Sequence, residues 1–538
     1  MDGLTEAGLT RRGLLARLGV AGAGMVLGGA LARPAFAHAL LETKTSTLRV
    51  ALGASMSTLD VAFFNSGSAN FIGGLVNEPL ITLSSKGELV PWLASSYKAV
   101  SPTHYEFTLR EGVKFSDGSP LTIEDVVYSF ARNLPHSGLK SQLGAAYYSN
   151  VKTIRRTGRN TMTVLLKKPD VTFLYLAPIY TLIVKKSFTK PLGQHYARPG
   201  GKMLGTGPFV LTHFDSTRIS FARSPHYWRH RPAVSAVDFQ VIADPQAQQL
   251  AVRSGNIDVV YGVTSSDVAE YTKISGVSVA GSVGVSYYLA FDVTTPPWND
   301  VHVRRAFAHC WDGPGFVKGP MHGRAQVSNG MVFPWQWRTV MTEKQIKAFF
   351  KSLPKYRFDV AAAKAELAKS ASPNGFSTSI LYPSGAPAIG LALQTLAANL
   401  QQIGVKLEVK ETTNTAYWSS VTANKGGGVS IVNFTSDYDD PNDFLSICYD
   451  SAYAAPNAWN LAHYKNSQVD RLLRVEQGTT NKAARAKAMQ KIYRISARDL
   501  PYLGLWYDEL AAVARHPFRV KAFSPIYYLT QWVDEIAA

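Results

Sequence analysis

Residues 237–260 place a strand, a helix and a second strand in immediate succession. Val237–Ile242 alternates as a half-buried strand, and Pro245–Ser254 reads as a helix. Gly255-Asn256 supplies the turn, and Ile257-Asp258-Val259-Val260 resumes the strand. So short a β–α–β crossover belongs to a mixed α/β domain and excludes all-helical and all-strand folds.

The rest of the chain fits that class. Strands are expected at 46–52, 105–109, 208–214 and 218–223, with a pair around Gly158 within 151–166. Thr122 and Asp125 have capping-box spacing for a helix running to about Arg132. Ile389, Leu393, Leu396, Leu400 and Ile403 form one face of a long helix that ends at Gly404. Val405–Val409 alternates as a strand, Asn481–Asp499 is helical, and strand text resumes at Leu503–Val513. A chain of 538 residues exceeds one small core and calls for two or three domains.

The first 37 residues read as an export signal. Arg11 and Arg12 form a twin-arginine pair, a Gly/Ala-rich apolar stretch runs from Leu18 to Ala32, and Ala35-Phe36-Ala37 is a small-x-small cleavage site. The apolar run is shorter than the roughly 20 residues a membrane span needs. The expected location is the periplasm or the outer face of the cell membrane.

The net charge of +18 would attract anionic surfaces, but no run of five or more Lys/Arg occurs and no helix-turn-helix signal is present. Nucleic acid is therefore not an expected partner. The two cysteines, Cys310 and Cys448, exclude a disulfide framework, and Cys310 lies in text that reads as a buried helix.

Motifs for catalysis are missing. There is no Gly-x-Ser-x-Gly elbow, no Walker A loop and no His-Glu-x-x-His. His226 and His230 are four apart but are bracketed by Pro225 and Pro232, so they read as a surface pair. No metal, no cofactor and no catalytic residue is expected.

Against this background, Asp437, Asp439, Asp440 and Asp443 concentrate negative charge in Asn433–Leu445. The run fails as a calcium loop, because Pro441, Asn442 and Cys448 fall where ligands and a glycine are needed. Two readings stand. The island can hold a cationic ligand group, or it can be a turn that starts a helix, with Asp440-Pro441 as N-cap and N1 and Asp443 in the first turn.

Several blocks, in order, resemble the large bacterial solute-binding proteins of ABC importers, the oligopeptide/dipeptide/nickel-binding family 5. They are Asn77-Glu78-Pro79-Leu80, Gly87–Ala94, Phe107–Gly118 running into Leu121–Phe130, Gly205-Thr206-Gly207-Pro208-Phe209 and Ser224–Trp228. Ser254–Asp258, Val303–Phe307 and the acidic island follow. The resemblance implies a two-lobed periplasmic-binding-protein-like α/β fold of the large class II type, with a hinge between the lobes. Lobe I would span residues 38–300, with an inserted subdomain at about 80–205. Lobe II would span 301–505, and 506–538 would return to lobe I.

In peptide-binding members an Asp after a Trp-x-x pattern pairs with the ligand's α-ammonium. That pattern maps onto Phe434-Thr435-Ser436-Asp437-Tyr438, which makes Asp437 the expected ligand carboxylate and Phe434 the stacking surface. Phe434 replaces the Trp, and the loop Tyr382–Ile389 carries no Arg of the kind dipeptide binders use. The implied function is a non-catalytic, monomeric binding protein that delivers an oligopeptide or related small solute to ABC permease subunits. The alternative is the same scaffold holding an oligosaccharide, an opine-like amine or a chelated metal. An envelope hydrolase on this fold is the remaining reading.

Overall fold

The computed structural model describes residues 46–63, 66–139, 148–422, 428–455 and 458–537. The export-signal expectation, with Arg11, Arg12, Ala35 and Ala37, lies outside the described residues.

The β–α–β unit forms as its text dictates. Ala236–Val241 is a strand, Pro245–Ser254 a helix and Val259–Thr264 the next strand. Asp244 caps the helix by accepting the Ala247 N–H at 2.7 Å, with Pro245 in the first turn. Gly255 ends it at φ +81°, a left-handed position that suits glycine. Thr47–Leu52 lies parallel to and between the two strands. This places them inside a nine-stranded sheet in the order 429–435, 277–291, 502–515, 259–264, 47–52, 236–241, 218–223, 209–214, with 326–327 pairing onto 502–515.

Two long antiparallel strands, Val277–Phe291 and Tyr502–Arg515, tie the sheet together. Residues 510–514 of the second pair with 259–264, while 285–291 of the first pair with 429–435. Tyr502–Arg515 thus joins a first-half strand at one end, and Val277–Phe291, paired along its length with Tyr502–Arg515, carries a second-half strand at the other. Register shifts at Val283/Val285 and Tyr287/Tyr288 interrupt the ladder between these ends. Gly281 and Gly284 lie beside the first shift, where an added Cβ would run into Glu509 and Pro525.

Distinct apolar cores flank these strands. One gathers residues 285–510, around Trp298, Trp337, Trp506 and the helix face Ile389, Leu393, Leu396 and Leu400. A second joins 80–183 to Tyr438, Ile526 and Leu529. It backs a four-stranded sheet in the order 94–101, 104–109, 161–166, 151–156. A third packs Leu48, Val50, Val237 and Phe239 against Trp532, Val533 and Ile536.

Three of the sequence blocks converge on one buried carboxylate. Glu78 accepts hydrogen bonds from the Trp92 indole at 2.7 Å, the Thr206 hydroxyl at 2.7 Å, the Trp228 indole at 2.9 Å and the Tyr227 hydroxyl at 3.3 Å. Arg229 stacks on Trp92 with its guanidinium carbon 3.9 Å from the ring centre, so the knot is sealed by a cation–π contact. Burial pushes Glu78 up to about 7, with the four donors opposing. These blocks build the scaffold.

The Thr122–Asp125 capping box is present, with both reciprocal bonds. Cys310 closes the helix Val301–Cys310, and both cysteines are free and buried. His230 and Arg229 share Asp534, each at 3.1 Å. No group of three or more metal-ligating side chains occurs among the described residues. Nor does any described helix have the length and apolarity to cross a membrane.

Candidate functional site

The acidic island begins where the strand Val429–Thr435 stops. This is the terminal strand of the nine-stranded sheet and pairs on one side with 285–291. Its other edge is of the kind that accepts an extended ligand backbone. Phe434 lies opposite Ser286 and Thr435 opposite Val285, and both are half-buried. The Phe434 ring meets Trp459 edge-on at 5.0 Å and stacks at 6.0 Å on Tyr288. An indole is therefore beside the position where the resemblance calls for one, supplied by another segment.

The chain then turns sharply, and Asp443 holds the turn. Its Oδ2 accepts the Asp437 N–H at 2.9 Å and the Ser436 hydroxyl at 3.0 Å. Gln336 adds its side-chain amide to Ser436 Oγ at 2.9 Å and to the Tyr438 carbonyl at 3.1 Å. Asp443 sits in the first turn of the helix Asn442–Tyr449, as its spacing predicts. Burial, followed by the charge of Asp437, drives its carboxyl well above the usual carboxylate range.

Asp440 has a larger role than the expected helix start. It does accept the Asn442 N–H at 3.0 Å, although the helix itself starts one residue past Pro441. In addition, Arg485 reaches both its carboxylate oxygens at 2.9 Å and contacts Glu476 at 3.0 Å. Asp440 and Glu476 are 1% and 0% exposed, so this is a buried ion triad inside the fold. Sequence reasoning missed it, because Arg485 lies in an ordinary helical stretch far along the chain. Asp439 is half-buried against the tight turn at Gly87. Burial pushes it up to about 7, with Arg338 opposing.

Asp437, like Asp439 and Asp443, makes no ion pair among the described residues, and its side chain receives one hydrogen bond, from the Tyr528 hydroxyl at 3.4 Å. Tyr528 also donates to the Ser436 carbonyl at 2.9 Å. Burial pushes Asp437 up to about 6, with the Tyr528 bond opposing. No sequence signal pointed to Tyr528, which comes from the last segment of the chain.

The remaining expected site residues separate by exposure. The Ser436 hydroxyl is engaged inside the turn, and Ser436 is fully buried. The Tyr438 ring stacks on Tyr175 at 4.8 Å, and its hydroxyl donates to Asn442 at 3.0 Å. Those two side chains face the protein. Asp437 and Phe434 keep partial exposure. The local arrangement is an unpaired, desolvated carboxylate beside an aromatic pair at the end of an edge strand. Such a group is suited to a ligand ammonium, because a buried charge without a partner carries a desolvation penalty of several kcal/mol.

Comparison with known proteins fits this arrangement. The family model described as bacterial extracellular solute-binding proteins, family 5 Middle, matches residues 88–455. The chain is 27% identical over 445 residues to the probable D,D-dipeptide-binding periplasmic protein DdpA of Escherichia coli K12, covering 81% of this chain and 82% of that protein. It superposes with a TM-score of 0.75 and 21% identity on the periplasmic binding protein DppA from Helicobacter pylori in complex with the peptide STSA, covering 91% and 98% of the two chains. It superposes with a TM-score of 0.77 and 20% identity on AgaA from A. tumefaciens R10 in complex with agropinic acid, covering 91% and 98%. The fold is thus the two-lobed α/β fold of periplasmic binding proteins, with the lobes joined at a hinge. The chain belongs to family 5 of the bacterial extracellular solute-binding proteins.

Proposed function

We propose that this protein is exported, closes its two lobes on a peptide-like solute and hands that solute to the membrane subunits of an ABC importer. Asp437 takes the ligand's α-ammonium, Phe434 offers a stacking face, and the backbone of Thr435, Ser436 and Tyr438 lies alongside the ligand. The chain works as a monomer and transforms nothing. Lobe I is residues 38–300 with a subdomain at about 80–205, lobe II is 301–505, and 506–538 completes lobe I. The separate apolar cores and the two connecting strands support this division.

The observation that carries the reading is the Asp437 carboxylate, desolvated and without an ion pair among the described residues. The likeness to a probable D,D-dipeptide-binding protein points the same way. A calorimetric screen of the full chain with short peptides tests it. A ligand at a hundred times its Kd adds about 2.7 kcal/mol of stability. Silence toward every peptide, with a response to oligosaccharides, overturns the peptide assignment.

A second reading is favoured by one feature. The loop Tyr382–Ile389 carries no cation for a ligand carboxylate. An amine-bearing solute without a C-terminal carboxylate at that point, such as an opine-like amine, meets Asp437 equally well. Peptides and their C-terminal amides, compared in the same screen, separate the two readings.

A further inference from the structure

A cavity of about 510 Å³ lies within the part of the chain that carries the 285–510 core, and no residue of 433–440 lines it. Its volume is that of a small-molecule pocket. Trp311, Leu353, Tyr449, Tyr493, Leu500 and Tyr502 form its inner wall, and each is at least nine-tenths buried.

The polar atoms of that wall are hydrogen-bonded within the protein. The Tyr493 hydroxyl donates to the Asn329 carbonyl at 3.2 Å, and the Tyr502 hydroxyl to the Cys448 carbonyl at 3.1 Å. The Tyr449 hydroxyl points at the Met331 sulfur at 3.5 Å, and the Trp311 indole donates to the Leu505 carbonyl at 3.0 Å. The wall therefore shows ring faces and alkyl groups to the cavity, which favours an apolar occupant.

The rim has the opposite character. Lys355 and Arg357 are exposed there, and neither pairs with a carboxylate among the described residues. Lys355 donates to the Phe350 carbonyl at 2.9 Å and to Asn329 Oδ1 at 3.4 Å, which leaves one ammonium proton for a ligand. Phe358 is 41% exposed at the same rim. One carboxylate also lines the cavity, Asp312, and its Oδ1 is occupied in capping the helix Gly313–Lys318 through the Gly315 N–H at 2.9 Å.

We propose that this cavity is a second ligand site, for a single-chain apolar carboxylate of the fatty-acid class. The alkyl chain lies against the aromatic wall and the carboxylate meets Lys355 and Arg357 at the rim. Buried chain supplies most of the affinity. The two cations select an acid over a neutral alcohol of equal length.

Titration of the full chain with dodecanoate, below its micelle concentration, tests this by calorimetry. One saturable site is expected. Lys355→Glu with Arg357→Glu weakens dodecanoate at least tenfold and leaves dodecanol unchanged. Ala497→Phe, which fills the cavity, abolishes both. Asp437→Asn alters neither. Should Ala497→Phe fail to fold, the exposed charge reversal still decides. Absence of saturation overturns the proposal. So does a charge-reversed variant that binds dodecanoate as tightly as the parent, or loss of dodecanoate binding in Asp437→Asn.

Discussion

Arg485 reaches both carboxylate oxygens of Asp440 at 2.9 Å, while Asp437, three residues earlier in the same acidic run, has no cation partner among the described residues. Bidentate pairing fixes geometry as well as charge. Here it locks the segment after the edge strand to the helix Lys482–Asp499. Arg485→Met would leave Asp440 and Glu476 buried without their cation. Breaking one side of a buried pair costs about 3–5 kcal/mol. The expected outcome is a large fall in the urea midpoint, with Asp437→Asn close to the parent in the same experiment. Equal midpoints for Arg485→Met and the parent would refute the structural role.

Asp437→Asn has the complementary effect on binding. Truncating one partner of a desolvated charge pair costs about 2–5 kcal/mol. An amine-bearing ligand should therefore lose at least thirtyfold in affinity by calorimetry. An N-acetylated version of the ligand should bind weakly to the parent and no worse to the variant. Equal loss for both ligands would mean that the substitution acts through the fold.

The pH profile of binding follows from the same carboxylate. Asp437 is raised to about 6, so the free protein releases its proton only near that pH. A cationic ligand needs the ionised form. Affinity is expected to fall as pH drops through about 6 and to level off above about 7. Tyr528→Phe removes the hydroxyl that stabilises the ionised form and should move the midpoint upward. A profile flat between pH 5 and 7.5 would dissociate Asp437 from the ligand.

Much of the fold was legible because its elements carry local signals. The helix face from Ile389 to Leu400, the cap at Thr122 and the strands 209–214 and 218–223 all follow from periodicity and end chemistry. The strand Val277–Phe291 was not legible. It mixes Gly281 and Gly284 with serines and breaks register, so no clean alternation survives. Its reason to be a strand is the partner Tyr502–Arg515, more than two hundred residues away. The site divides in the same way. The acidic run announces itself, but Arg485, Tyr528, Gln336 and Trp459 reach it from distant segments. Which Asp is paired and which is unpaired is a tertiary fact.

Glu78 gives the scaffold its own pH response. Burial raises it to about 7, against an ordinary carboxyl near 4.5. A group raised on folding contributes stability that is full below its unfolded value and is lost as pH climbs through its folded value. Between pH 4.5 and 7 the parent should lose on the order of 3 kcal/mol from this group. Glu78→Gln keeps the shape and cannot ionise. Its urea-derived stability should therefore slope less with pH across that window, whatever its absolute value. Parallel slopes for the two proteins would show that Glu78 does not titrate there.

Gly87, at φ +80°, turns the hairpin between Ile81–Leu83 and Leu89–Pro91, and a Cβ there would overlap the Asp439 carboxylate. The hairpin belongs to the 80–183 core, whereas Asp439 follows the edge strand of the 285–510 core. Gly87→Ala therefore has two effects. Left-handed strain costs roughly 1–2 kcal/mol wherever the hairpin is folded. The overlap acts only where the two segments meet, so it penalises the closed, ligand-holding form. Ligand affinity is expected to fall at least tenfold in Gly87→Ala. Asp439→Gly removes the obstacle, so the double variant should regain affinity while keeping the strain. That non-additivity, read by calorimetry as a double-mutant cycle, separates closure from simple destabilisation. A double variant no better than Gly87→Ala would mean that the contact between Gly87 and Asp439 does not limit closure.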